Sequence, residues 1–108
     1  MRHTTLRPAF ALSTFLMAAT AIASDDDWQA GQQAFRAGDL ESALASFEAA
    51  RDAGLEGPAV HYDIGVSQFK LGRYHDAQQT FEFIARNFPQ MGGLAEYCLL
   101  YTSDAADE

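Results

Sequence analysis

The sequence predicts an all-α fold of successive antiparallel helix-turn-helix units, and three observations carry that prediction. Residues recur at an offset of 34 positions: Gly31 with Gly65, Phe35 with Phe69, Gly38 with Gly72, Leu40 with Tyr74, Ala43 with Ala77, Phe47 with Phe81 and Glu48 with Glu82. Such a period marks stacked supersecondary units, each too small to bury its own apolar face. Within it, Leu40, Ala43, Leu44, Phe47 and Ala50 keep the i, i+3, i+4, i+7 spacing of one helix face. Gly38 and Gly72 then stand where a helix must close in the left-handed conformation that glycine adopts without strain.

The elements follow in order. A first helix is expected from about Asp26 to Ala37, with Asp25, Asp26 and Asp27 at its positive N-terminal end. Gly38 ends it, and Asp39 is placed to cap a second helix from about Leu40 to Ala53. Gly54, Gly57 and Pro58 form the next turn, and Pro58 suits a first helical position. A third helix from about Ala59 to Leu71 stops at Gly72. A fourth covers Tyr74 to Asn87, beyond which Pro89 forbids continuation, and Met91 to Tyr97 opens a fifth. Gly31, Ala43, Gly65 and Ala77 allow close approach of helix backbones, while Phe35, Phe47, Phe69 and Phe81 are expected to fill the space between them.

Both ends of the chain read differently from this middle. Arg2, His3 and Arg7 precede an apolar stretch from Ala9 to Ala23 that closes on Ala21-Ile22-Ala23. A basic head, a short apolar run and small residues at its end are the parts of a secretory signal cleaved after Ala23. The run is poorer and shorter than the ~20 apolar residues that span a bilayer. The last eleven residues, Cys98-Leu-Leu-Tyr-Thr-Ser-Asp-Ala-Ala-Asp-Glu108, are similar at every position to the translation of a transposase-based sequencing adapter. The 34-residue register fails at the same place, since a further step carries Gly31 and Gly65 to Leu99, and Gly38 and Gly72 to Ala106. The string is therefore not expected to form a repeat helix, and the native sequence is expected to depart from it after Tyr97. The chain's single cysteine, Cys98, falls inside it and carries no functional expectation. The expected organisation is an export signal at 1–23, repeats at 24–57 and 58–91, the start of a third at 92–97 and a non-native tail at 98–108.

The pattern Trp28-x-x-Gly31…Gly38-Asp-Leu-x-x-Ala43-x-x-x-Phe47-x-x-Ala50 resembles the tetratricopeptide repeat, as does Tyr62-x-x-Gly65…Gly72-Arg-Tyr74-x-x-Ala77-x-x-x-Phe81…Pro89. The resemblance covers roughly Asp25 to Tyr97. Trp28 sits one place later than the family's usual tryptophan, Leu55 stands where a closing proline is common, and Ile84 replaces a small residue. The family implies a short right-handed α-solenoid whose first helices line a concave groove, which here places Trp28, Gln29, Gln32 and Arg36 beside Tyr62, Asp63, Val66 and Lys70. Such a groove suits an extended or helical peptide. The positions of the family's carboxylate clamp hold Trp28, Gln32, Ala59 and Asp63, so that clamp is absent. Phe81-Glu-Phe-Ile-Ala-Arg-Asn-Phe-Pro89 followed by Leu94-Ala-Glu-Tyr97 also resembles repeats of periplasmic proteins serving outer-membrane assembly and cell division. The expectation is a periplasmic or secreted scaffold that binds a protein or peptide of the cell envelope. The alternative is a structural arm of a larger exported protein, an outer-membrane barrel or an envelope enzyme.

Charge and motif content narrow the function classes. Between residues 24 and 97, twelve acidic side chains face five basic ones, the wrong sign for a phosphate backbone, so nucleic acid is not an expected partner. His61 and His75 lie on different helices without metal-ligand spacing, and no phosphate-binding GxxxxGK[ST] loop occurs. Asp63 and Asp76 have no nucleophile motif beside them. No enzyme activity, cofactor, metal, small-molecule substrate or mature membrane span is expected.

Overall fold

The computed structural model describes residues 25–107, so the stretch read as an export signal lies outside the described residues. Every regular element among them is helical: α1 (residues 25–36), α2 (Leu40–Asp52), α3 (Pro58–Lys70), α4 (Tyr74–Asn87) and α5 (Gly92–Asp107), with a 3-10 turn at Pro89–Met91. None of these helices is long and apolar enough to cross a membrane.

The helix ends follow from local chemistry. The Gly38 N–H donates to Phe35 O and the Asp39 N–H to Ala34 O, which satisfies carbonyls that the last turn of α1 leaves open. Gly38 makes this possible at a φ of 83°. Asp39 also begins the next helix, because its carboxylate accepts from the Ser42 N–H at 3.3 Å. One residue thus closes α1 and caps α2. The same pair of bonds recurs at the end of α2, from Gly54 to Arg51 O and Leu55 to Ala50 O, and at the end of α3, from Gly72 to Phe69 O and Arg73 to Gln68 O. Pro58 occupies the first turn of α3, and α4 stops where the Asn87 side chain donates back to Phe83 O.

Two cores result. Ala43, Leu44, Phe47 and Ala50 of α2 pack with Val60 and Ile64 of α3, while Trp28, Ala34, Phe35, Leu55 and Leu71 cover the edges. Ala77, Phe81 and Ile84 of α4 pack with Ala95 of α5, edged by Tyr62, Val66, Phe69, Cys98 and Leu99 among others. At the centre of each lies one glycine-aromatic joint. A methyl group on Gly31 would stand 2.6 Å from Cδ1 and Cε1 of Phe47, and one on Gly65 would stand 2.7 Å from Cε1 of Phe81. Carbon contacts normally settle at ~3.5–4.0 Å, so only glycine fits these rings. The four phenylalanines divide between interior and rim: Phe47 and Phe81 are buried, whereas Phe35 and Phe69 are half-buried at the edges of the cores.

The fifth helix departs from expectation. It runs on through Cys98 to Asp107, across the point where the 34-residue pattern fails. The physical reason is a stripe that spans the boundary. Ala95, Cys98, Leu99 and Thr102 fall at i, i+3, i+4 and i+7, and all four are buried or half-buried. Thr102 donates its hydroxyl to Cys98 O at 2.6 Å, so its burial leaves no polar atom unpaired. The missing glycine at 106 has a visible consequence: no turn forms there, and the helix continues past the point where α1 and α3 close.

Candidate functional site

Two ties place α1 and α3 side by side, running in the same direction. Near one end, Trp28 Nε1 donates to Asp63 Oδ2 at 2.9 Å. Two turns further along both helices, the Lys70 ammonium stands 5.9 Å from the centre of the Phe35 ring, within cation-π range. The eight sequence-predicted residues divide between these two helices, four on each.

Those eight do different things. Gln29, Arg36 and Lys70 are exposed, and Gln32, Tyr62 and Val66 are half-buried. Gln32, Arg36 and Asp63 line a cavity of about 170 Å³ together with Phe35 and Phe47. Val66 lines a second, apolar one of about 160 Å³ with Phe69, Phe81, Tyr97, Cys98, Tyr101 and Thr102. Tyr62 packs its ring 6.3 Å from that of Phe81. Trp28 and Asp63 are engaged with each other, so their polar atoms serve the junction between the two hairpins before they serve any guest.

Electrostatics follow from this packing. Burial pushes the Asp63 carboxyl above the ordinary carboxylate range, and the Trp28 hydrogen bond opposes that push. Burial also raises the Tyr62 phenol, helped by the charges of Cys98 and Asp63, and raises the Cys98 thiol, which disfavours the reactive thiolate. Among the described residues no three His, Cys, Asp or Glu side chains converge as a metal site would require. What the surface offers is shape, amide groups at Gln29 and Gln32, an aromatic edge at Phe35, and two cations.

A second cleft escaped the sequence reading. His61 is half-buried and not free on the surface; its ring lies 4.7 Å from that of Phe83 and 5.8 Å from that of Phe88. These rings meet across 22 and 27 residues of chain, a distance that helical periodicity cannot bridge. One signal was available: the 34-residue register pairs Phe83 with Ala49, so the aromatic is an addition peculiar to α4.

Comparison with protein-family models, with curated proteins and with solved structures yields no match.

Proposed function

We propose that this chain is an exported tetratricopeptide-type interaction module whose two helix hairpins bind a protein or peptide of the cell envelope, without catalysis. The observation that carries the reading is the repeated joint, Gly31 against Phe47 and Gly65 against Phe81, at the same spacing and the same depth in successive hairpins. Each joint fixes how the two helices of one hairpin pack, and its repetition makes the successive hairpins alike, as the stacked units of a short right-handed α-solenoid are. The side-by-side course of α1 and α3 supports a groove of first helices, and Gln29, Gln32, Arg36, Tyr62, Val66 and Lys70 are its contact residues in this reading. Trp28 and Asp63 hold the two halves of that groove in register. Export rests on the basic head, apolar run and Ala21-Ile22-Ala23 of the sequence.

Site-specific photo-crosslinking in a bacterial host tests the groove. A crosslinking side chain at Gln29, Gln32 or Lys70 is expected to trap a discrete envelope protein. The same group at Ala45 or Glu82, both exposed on the second helices, is expected to trap none. Equal trapping at both sets, or none at the first, overturns the groove. Intact-mass measurement of the secreted product is expected to begin at Ser24, and an unprocessed chain would refute export.

A further inference from the structure

The cleft that contains Phe83 is bounded by α2 and α4 and floored by α3. His61, Ile64 and Gln68 form its floor. By the 3.6-residue period they lie on roughly the opposite side of α3 from Tyr62, Asp63, Val66 and Lys70. The cleft is therefore a separate surface from the groove described above, and its function does not depend on that reading. It encloses about 520 Å³, within the ~300–1,000 Å³ typical of sites that hold a small guest.

Its lining has a definite chemical character. Phe83 is 38% exposed, held in place by His61 and by Phe88 at 6.3 Å. Glu48 stands on one wall and Asp76 on the other. Glu56 lines the depression that continues from Arg51, His61 and Phe83. Among the described residues none of these three carboxylates has an ion-pair partner, while the one lining arginine, Arg51, is engaged by Asp52 at 3.0 Å. Burial and the Arg51 charge keep His61 below its ordinary pKa, so its ring is an uncharged wall at neutral pH. An exposed aromatic face inside an acidic rim selects a cation, and a planar one best. Guanidinium stacks on a ring while its edge donors reach carboxylates, whereas an ammonium is a more strongly hydrated point charge. A second copy of this chain is a poor guest, because it carries the same formal charge of −8.

We infer that the cleft between α2 and α4 docks an arginine-bearing segment of a partner protein, its guanidinium on Phe83 and its charge facing Glu48 and Asp76. The probe is a blocked heptapeptide of alternating arginine and alanine, titrated into the full chain with the His61 and Phe83 ring signals followed by nuclear magnetic resonance. Saturable shifts of both rings are expected, with roughly tenfold weaker binding in Phe83→Ala. A comparable loss is expected in the Glu48→Gln/Asp76→Asn pair, and no change in Gln32→Ala on the other face. Circular dichroism of each variant shows whether it folds. Should Phe83→Ala unfold, the carboxylate pair, which lies outside the cores, decides the matter. Equal binding of the same peptide with citrulline in place of arginine overturns the proposal. So do shifts centred on Arg36 and Lys70, shifts that grow with protein concentration alone, and the absence of any shift.

Discussion

The two hairpins share an interior and differ on their surfaces. In α1–α2 and in α3–α4 a glycine admits a phenylalanine ring, an alanine sits fully buried at Ala43 or Ala77, and a glycine at positive φ turns the chain. Yet Asp39, which caps α2, is matched in the second hairpin by Arg73, which caps nothing and instead pairs with Glu41 at 2.8 Å. Ala49 is matched by Phe83. The difference teaches where freedom lies in such a chain: positions touching the joint are held by close contact, while those facing water diverge and can acquire partners.

The comparison breaks most directly at the joint itself. Phe47→Ala and Phe81→Ala are each expected to destabilise the chain by about 3–5 kcal/mol, and by amounts within about 1 kcal/mol of each other if the joints are equivalent, read by urea unfolding. A wider gap would show that one hairpin carries the other. Next come Gly31→Ala and Gly65→Ala. The added methyl meets a ring that cannot withdraw, so overpacking of ~1–3 kcal/mol is expected, although alanine is the better helix former by about 1 kcal/mol. Stabilisation by either substitution would refute the close approach. Smaller still is the asymmetry of the turns. Asp39→Ala is expected to lose about 0.5–2 kcal/mol of capping. Arg73→Ala removes only an exposed ion pair of roughly 0.2–1 kcal/mol, and that loss should vanish in high salt.

The finest probe is pH, which acts through His61 of the second hairpin. Burial, then Arg51, lowers its pKa below 6.5, so over the window just below that value the unfolded chain takes up a proton that the folded chain refuses. The stability concerned is present above pH 6.5 and declines as the pH falls through the window. His61→Gln is expected to flatten that decline in melting curves taken from neutral pH downward. An unchanged slope would mean that the imidazole is not held neutral by its surroundings.

Helix identity was legible because it is written locally. The stripe from Leu40 to Ala50, the closing Gly38 and Gly72, the cap at Asp39 and the start at Pro58 all act within a few residues, and the observed boundaries fall within a residue or so of those expected. The fifth helix shows the limit of that reading. The 34-residue pattern stops near Leu99, but Ala95, Cys98, Leu99 and Thr102 still present one face, and an available apolar edge on α4 gives that face something to cover. Nothing local distinguished Trp28 and Asp63, which bond to each other, from Gln29, which is exposed.

By itself, then, the sequence determined the all-helical fold of the described residues, the spacing of its repeated positions and the identity of the residues that must stay small, because backbone closure and steric exclusion are decided by neighbours in the chain or by strict repetition. Only the tertiary structure decided which polar groups face each other across α1 and α3, and that His61, Phe83 and Phe88 gather at one cleft. Those meetings depend on how far each helix is rotated against the next, a quantity set by all the joints together and by no single stretch of residues.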